Sequence, residues 1–248
     1  MLHLPNYFLA DLPPEATLTP AMLGEACQTL KRNREQYLAN KSTNQIIGVL
    51  SDLAEAWRQP DYPFRQLALK DGPAKTGFSA PAIAEGLDLF FSQITRETLC
   101  ALLEQDLGHL QRLDGLCATN AEIKASRASI AFGPELIAHV SAGNLPPPTL
   151  HSMILGLLCR SAQFVKCSSG ASFLPRLFAH SLYETEPKLA STIELAAWPA
   201  GNAALQEALF AEANCITATG SDEAIDAVRR AAPARDRKST RLNSSHLV

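Results

Sequence analysis

The sequence predicts an α/β protein in which a helical N-terminal segment precedes a parallel, Rossmann-like sheet. Two observations predict this class. Through about the first 120 residues, apolar residues recur three and four positions apart, which is the period of an amphipathic helix. From about residue 128 onward, short apolar runs alternate four times with helix-like segments across short connections. Such alternation is typical of parallel strands joined by crossover helices, an arrangement that often binds nucleotides.

The first two helices are marked by start signals. Thr19 stands before Pro20, and a threonine cap followed by a proline in the first helical position is a common helix start. The sequence "STNQ" (42–45) has the spacing of a capping box and precedes a run of apolar residues with helical period. We expect Pro60 and Pro63 to end this second helix.

The next part of the helical segment is divided by a glycine- and proline-containing stretch. We predict that "DGPAKTG" (71–77) is a loop. Leu87, Phe91 and Ile94 then have helical spacing, and we predict one helix that runs on to about Gly108.

The second half of the chain is predicted to hold four strands and four helices. The strands are predicted at 135–142, 162–167, 192–198 and 215–219. The helices are predicted at 146–161, near 172–184, within 202–212, and from Ser221 onward. These elements divide the chain into a helical segment, 1–125, and a cofactor-binding domain, 126–236.

The last twelve residues, 237–248, differ in composition from the rest. "RKSTRLNSSHLV" is rich in Ser, Arg and Asn and has no apolar period. It resembles a translated sequencing-adapter read-through, and we interpret it as a non-native, disordered tail; a short natural tail is the alternative. On the first interpretation the chain is a fragment, and we expect a domain beyond residue 236 to be missing.

Composition excludes several classes of protein. With 46% hydrophobic and 19% charged residues the chain is ordinary globular material, and a net charge of −3 argues against a nucleic-acid partner. No apolar run is long enough for a membrane span, and the first residues lack the pattern of a signal peptide, so we predict a cytoplasmic protein. The six cysteines form no C-x-x-C pair and the six histidines are dispersed, so we expect reduced thiols and no metal site.

Polar and glycine residues follow three of the four predicted strands. These groups are 141–144 (Ser-Ala-Gly-Asn), 166–169 (Lys-Cys-Ser-Ser) and Gly220-Ser221. Each alone has an ordinary structural explanation: a Gly-Asn turn, a solvated lysine, or a helix entry. Ligands of open parallel sheets, however, bind at the carboxyl ends of the strands, where all three groups fall. The usual G-x-G-x-x-G fingerprint of dinucleotide sites is absent.

Three motifs carry a resemblance to a known family. In order and spacing, "HVSAGNLP", "FVKCSS" and "ITATGSDEAI" are similar to the cofactor half of the aldehyde dehydrogenase superfamily. The branch that they resemble most is the acyl-CoA reductase family, typified by the fatty-acid reductase of bacterial bioluminescence, and the likeness covers about 130–232. It implies NADPH-dependent reduction of a fatty acyl thioester, carried on coenzyme A or on a protein, to the aldehyde through a cysteine acyl-enzyme. It also implies a homo-oligomer.

The resemblance assigns roles to residues of the first motif. The amide of Asn144 corresponds to the group that donates a hydrogen bond to the oxygen of the reacting thioester or aldehyde. Ser141, Ala142 and Gly143 correspond to the backbone that lies against the cofactor. A cap for the following helix is the alternative role of Asn144.

The resemblance assigns the other two motifs to the cofactor. Lys166 corresponds to a lysine that contacts the adenosine ribose, with Ser168 beside it. Ser169 stands where many NAD-dependent relatives have a glutamate that accepts from the ribose hydroxyls. A serine tolerates a 2′-phosphate that a carboxylate would repel, so the implied cofactor is NADPH. In the last motif, Gly220, Ser221 and Ala224 correspond to the start of the helix that lies near the pyrophosphate of the cofactor.

The same resemblance places the nucleophilic cysteine in the missing domain, so we expect no reductase activity from these residues alone. Cys167 and Cys215 fall within or at the ends of predicted strands and are not assigned that role. Two alternatives stay open at this point. One is another reductase of the superfamily, of the semialdehyde dehydrogenase or glutamyl-phosphate reductase type. The other is a nucleotide-binding module without catalytic activity.

Overall fold

The structure is a computed structural model, and it describes residues 4–13, 15–142, 146–168, 171–199 and 201–233. Six helices precede the first strand: α1 Pro20–Asn33, α2 Thr43–Arg58, α3 Pro63–Thr76, α4 Ala80–Ser92, α5 Arg96–Leu107 and α6 Asn120–Lys124. The strands are β1 Leu136–Ala142, β2 Ala162–Cys167, β3 Ile193–Ala197 and β4 Cys215–Gly220. The helices after β1 are α7 Pro146–Leu158, α8 Phe173–Thr185, α9 Pro187–Ala190, α10 Ala203–Glu212 and α11 Asp222–Ala231.

The predicted starts of α1 and α2 are confirmed at the level of individual hydrogen bonds. The hydroxyl of Thr19 accepts from the backbone N–H of Met22 at 3.3 Å. At the start of α2, Ser42 and Gln45 form a reciprocal capping box, with bonds of 3.3 and 3.0 Å. Both satisfy backbone donors that a helix end leaves without a partner inside the helix.

The prediction of a loop at 71–77 was wrong, because α3 continues through Pro73 and ends only at Gly77, whose φ is +78°. Tertiary packing explains the difference. A side chain at Gly72 would come within 2.7 Å of Ile83, so this glycine allows α3 and α4 to approach closely. The favourable packing outweighs the hydrogen bond that Pro73 removes. Pro63, expected to end α2, occupies the start of α3.

The single helix predicted up to Gly108 is two helices. α4 ends at Ser92, and α5 begins after Thr95, whose hydroxyl accepts from the backbone N–H of Thr98 at 3.2 Å. This cap is a start signal inside an apolar run that looks continuous in the sequence. Gly108 ends α5 with a φ of +76°, a conformation that glycine adopts without strain.

The four strands predicted from the sequence are confirmed, each within about two residues at its ends. They form one parallel sheet in the order β3-β2-β1-β4. β1 pairs with β2 from Leu136 opposite Ala162, and with β4 from Ile137 opposite Cys215. The chain thus builds outward from β1 through β2 to β3, and then returns to add β4 on the other side.

Both faces of the sheet are covered by helices. On one face α7 and α8 lie against the strands, and α2 to α5 pack behind them to form the larger core. On the other face α1 and α10 cover the sheet around Phe164, Ala138 and Trp198. Because α1 belongs to the first part of the chain, the helical segment and the sheet share a core.

A row of buried polar side chains crosses the middle of the sheet. The hydroxyl of Thr217 on β4 donates to Nδ1 of His139 on β1 at 2.7 Å, and Nε2 of His139 donates to the Gln163 side chain on β2 at 2.9 Å. The Gln163 amide nitrogen in turn donates to the carbonyl of Met153 on α7 at 3.0 Å, which fixes the direction of every bond in the row. Burial lowers the pKa of His139 to about 4.

The N-terminal segment is held by a buried carboxylate. Asp11 accepts hydrogen bonds from the backbone N–H groups of Tyr7 and Phe8, at 3.0 and 2.9 Å, and pairs with Arg176 and His180 on α8. Burial raises the pKa of Asp11, but the hydrogen bonds from His180 and Phe8 and the nearby positive charge outweigh it and hold that pKa below its usual value.

The row through His139 predicts how the stability of the fold depends on pH. The pKa of His139 is about 4 in the folded protein and 6.5 in the unfolded chain, so the neutral ring stabilises the fold above pH 6.5. That contribution is lost as pH falls from 6.5 through 4. Between pH 7 and 4, we expect the wild-type protein to lose about 3 kcal/mol of unfolding free energy beyond any loss in a His139→Gln variant. Urea unfolding at four pH values measures the difference.

A Phe210→Leu variant is the control for this experiment, since it loosens the buried core on the other face of the sheet without removing a titratable group. We expect its unfolding free energy to be lower at every pH and to fall with pH as that of the wild type does. Parallel pH curves for the wild type and His139→Gln would contradict the assignment.

Candidate functional site

The order of the strands creates a crevice at the end of the sheet where the carboxyl ends of the strands lie, which we call the carboxyl edge. Connections leave β1 towards β2 on one side, while β4 lies on its other side, so the crossover helices diverge between the carboxyl ends of β1 and β4. Ligands of open parallel sheets bind at such a topological switch point. Ala142 and Gly220 are paired there, and Ser141 is paired with Thr219. Two of the three predicted ligand-binding groups therefore begin at the same crevice.

A hydrogen bond between side chains joins the end of β1 to the first turns of α7. The hydroxyls of Ser141, near the end of β1, and Thr149, in the first turns of α7, are 2.7 Å apart. Both residues are buried. This bond fixes the position of the start of the helix relative to the end of the strand.

Lys166 is a buried cation at the carboxyl end of β2. Only 8% of the residue is exposed, and burial lowers the pKa of its ammonium group below the usual value. Among the described residues no carboxylate pairs with it. The nitrogen instead lies 5.8 Å from the centre of the Trp198 ring, within the range of a cation–π interaction. A buried ammonium without a carboxylate partner favours an anionic ligand.

The start of α11 is a weaker place for an anion. Ser221 caps this helix by accepting from the N–H of Ala224 at 3.4 Å, so the expected local structure is present. Asp222 and Glu223 occupy the first turn, and the Ser221 side chain lowers the pKa of the Glu223 carboxyl by a hydrogen bond. These two carboxylates already complement the positive end of the helix.

Three of the predicted site residues, Gly143, Asn144 and Ser169, lie outside the described residues, as does the tail at 237–248. Ser168 lies directly after β2, where its carbonyl accepts from the N–H of Ala171 at 3.1 Å. The roles assigned to these residues therefore stay predictions.

Two residues at the carboxyl edge were missed by the sequence analysis. Trp198 directly follows β3, and this strand end was passed over because it offers no polar or glycine residue. Its position at the end of the predicted strand, 192–198, was nevertheless a usable signal. Thr149 could not be found in this way, because a threonine in the first turns of a helix has many ordinary uses.

The cysteines are in thiol form where burial is strongest. Burial raises the pKa of Cys27 and of Cys167 to about 12, and also raises that of Cys159 and Cys215. All six cysteines of the chain are free. A nucleophilic cysteine needs a thiolate, so these four environments disfavour that chemistry.

Comparison with known families gives an assignment that agrees with the motifs. The sequence model described as "Acyl-CoA reductase (LuxC)" matches residues 38–239, which is most of the chain. The chain belongs to the LuxC acyl-CoA reductase family. The match includes the carboxyl edge of the sheet and also α2 to α6 of the helical segment.

Curated relatives carry a narrower description. The chain is 25% identical over 197 residues to the long-chain acyl-protein thioester reductase of Vibrio harveyi, covering 77% of this chain and 40% of that protein. A protein of the same name from Aliivibrio fischeri is 23% identical over 191 residues, covering 75% of this chain and 39% of that protein. This LuxC-family chain thus spans about 40% of the length of the curated relatives that it matches.

Solved structures of aldehyde dehydrogenases share the fold. An acetylating aldehyde dehydrogenase from Geobacillus thermoglucosidasius gives a TM-score of 0.64 at 14% identity, over 86% of this chain and 44% of that one. Glyceraldehyde-3-phosphate dehydrogenase GapN from Methanocaldococcus jannaschii was solved as a complex with NADP. It gives a TM-score of 0.63 at 14% identity, over 88% of this chain and 45% of that one. The predicted α/β class, with its aldehyde dehydrogenase-like parallel sheet, is therefore confirmed.

The described part of this LuxC-family chain lacks two further kinds of feature. None of the helices there is long and apolar enough to cross a lipid bilayer. In the same ranges, no three His, Cys, Asp or Glu side chains are grouped so that they could hold a metal ion.

The Ser141–Thr149 bond predicts a specific thermodynamic coupling. A Thr149→Val change leaves the Ser141 hydroxyl buried without this partner, and we expect it to cost about 1–3 kcal/mol of unfolding free energy. The double variant with Ser141→Ala should cost about 1 kcal/mol less than the sum of the two single changes. A double-mutant cycle by urea unfolding measures this coupling.

Ser152→Ala is the matched control, since this half-buried hydroxyl on α7 donates to the carbonyl of Pro148 within its own helix, and it makes no other hydrogen bond among the described residues. We expect it to change stability little and to add simply to Ser141→Ala. Additive costs for Ser141 and Thr149 would contradict the coupling.

Proposed function

We propose that this chain is the NADPH-binding part of a reductase that converts a long-chain acyl thioester to the aldehyde. The observation that carries the proposal is the buried ammonium of Lys166 at the carboxyl edge of the parallel sheet, with no carboxylate partner among the described residues. A nicotinamide dinucleotide supplies hydride and also carries the phosphate groups that such a cation attracts.

The residues present fit an adenosine 2′-phosphate better than a free ribose diol. Lys166 offers a positive charge, and the position three residues later is Ser169, where a carboxylate would hydrogen-bond a diol but repel a phosphate. The complex of GapN with NADP, a protein of the same fold, supports a site for this class of cofactor. NADP(H) is therefore the proposed cofactor in preference to NAD(H).

The proposed substrate is a long-chain acyl group in thioester linkage to coenzyme A or to a protein. The names of the curated relatives, long-chain acyl-protein thioester reductases, support the protein-linked form. The amide of Asn144 is proposed to donate a hydrogen bond to the thioester oxygen as negative charge develops there. One such donor is worth about 3 kcal/mol in the transition state.

The proposed reaction uses a cysteine thiolate that displaces the carrier thiol and holds the acyl group as a new thioester. Hydride transfer to the acyl carbon then releases the aldehyde and regenerates the thiolate. Burial disfavours the thiolate at four cysteines of this chain. We therefore propose that the nucleophile belongs to a further domain of a longer protein, and that this chain by itself binds the cofactor without reducing the substrate.

The remaining parts of the proposal concern the location and the oligomeric state of the longer protein. We propose that the longer protein is a cytoplasmic homo-oligomer. A module that binds a nucleotide without any associated chemistry is the other candidate function, favoured by the raised thiol pKa of four of the six cysteines. The two candidates share the cofactor site and differ in whether acyl thioester is consumed.

Lys166→Met tests the cofactor site directly. The change removes the charge but keeps most of the apolar stem, so the fold should be retained while the phosphate contact is lost. We expect NADPH to bind at least about tenfold more weakly, the loss of one charge-assisted contact. Calorimetric titration of the purified chain with NADPH measures the dissociation constant.

Lys188→Met is the matched control, because its ammonium also lies 5.8 Å from an aromatic ring, that of Tyr37, and does so far from the carboxyl edge. We expect this variant to bind NADPH as the wild type does. Equal weakening by both changes, or by neither, would contradict a cofactor role for Lys166.

Ser169→Glu tests the choice between the two cofactors. The new carboxylate would repel the 2′-phosphate and accept from ribose hydroxyls, so we expect the preference for NADPH over NADH to fall by about tenfold or more. Ser169→Gln adds similar bulk without charge and should change the preference much less. Titration of each variant with both nucleotides gives the ratio of the dissociation constants, and a ratio unchanged by the glutamate would contradict the proposal.

A further inference from the structure

Trp198 is placed to direct the Lys166 side chain towards the edge of the sheet. Lys166 on β2 is paired with Ala196 on β3, and Trp198 follows two residues later, where the alternation of a strand points it to the same face. The ammonium lies over the indole ring, 5.8 Å from its centre. The lysine side chain therefore leans along the strand direction, past the small Ala196, towards the carboxyl edge.

The charged residue on the same face of β3 is Glu194, and its carboxylate is hydrogen-bonded to backbone groups. Glu194 is two residues before Ala196, on the side away from the carboxyl edge, and its carboxylate accepts from the N–H groups of Leu9 and Leu195 at 2.8 and 2.9 Å. No ion pair joins it to Lys166 among the described residues. Glu194 and Lys166 thus lie on the same face of the sheet, but the Lys166 ammonium contacts the ring of Trp198 and does not pair with the Glu194 carboxylate.

The Trp198 ring is itself held in place. It is 4% exposed, and it packs against the ring of Phe164 with centroids 6.2 Å apart. A rigid aromatic face stabilises an ammonium group without satisfying its three N–H donors. Among the described residues no hydrogen-bond partner engages those donors, so they are available to a ligand at the carboxyl edge, and the lysine does not have to be ordered when the ligand binds.

We propose that Trp198 is the positioning residue that presents the Lys166 ammonium to the 2′-phosphate of the adenosine ribose, and so sets the preference for NADPH over NADH. The inference rests on the proposed function. The phosphate carries nearly two negative charges and the ribose diol carries none, so a fixed ammonium stabilises the phosphate far more than the diol. A lysine released into solvent would distinguish the two less well.

Trp198→Leu tests the proposal. It removes the ring and leaves an apolar side chain, and we expect NADPH to bind about fivefold more weakly while NADH binding changes less than about twofold. Trp198→Phe keeps a weaker aromatic face and should recover part of the preference. Calorimetric titration of the chain with each nucleotide gives the ratio of dissociation constants, a quantity that general loss of stability does not change.

Phe210→Leu is the matched control, since it removes another buried ring from the same core, and among the described residues no ring contact joins Phe210 to Trp198. We expect it to lower the melting temperature and to keep the wild-type ratio of dissociation constants.

Replacing both tryptophans by 5-fluorotryptophan gives a variant of almost unchanged shape. It should weaken NADPH binding selectively, because fluorine withdraws electron density from the ring face that attracts the ammonium.

The outcomes separate this inference from the proposed function. If the wild-type chain prefers NADPH and Trp198→Leu keeps the same ratio, the positioning role is wrong and the cofactor site stands. If Trp198→Leu does not fold, an unchanged ratio in the fluorotryptophan protein overturns the role in the same way. If the wild-type chain binds neither nucleotide, the proposed function fails and the inference fails with it.

Discussion

The pairing of β1 with a strand on each side is the constraint on which the rest of the structure depends. The register decides which side chains reach the carboxyl edge and which face the helices, and a slip of one residue would exchange the two sets. His139 fixes the register from within, since its two ring nitrogens bond to β2 and β4 at once. An apolar side chain at this position would pack equally well after a slip, whereas the ring has one satisfied arrangement.

The carboxyl edge joins two parts with different electrostatic character. Lys166 contributes an ammonium that lacks a carboxylate partner among the described residues, whereas α11 begins with two acidic residues. An anionic ligand along this edge would thus be attracted mainly at the β2–β3 end. The hydroxyl pair of Ser141 and Thr149 adds no charge and holds the end of β1 against the first turns of α7.

Much of this arrangement could be predicted because the signals are local. The cap at Thr19, the capping box at 42–45 and the four apolar strands each depend on residues close together in the sequence. The helix through Pro73 could not be predicted, because the packing of Gly72 against Ile83 that stabilises it is tertiary. The ring under Lys166 could not either: the sequence contains the lysine and Trp198, but only the register of β2 and β3 brings them together.

The Asp11 clamp has a consequence for the order in which the chain folds. Asp11 is synthesised well before its partners on α8, which lie 165 and 169 residues later. Contacts so distant in sequence form only after the intervening chain has been ordered, because closing such a loop earlier costs conformational entropy. We therefore expect the N-terminal segment to dock late, and the part of α8 around Arg176 and His180 to stay uncovered until it does.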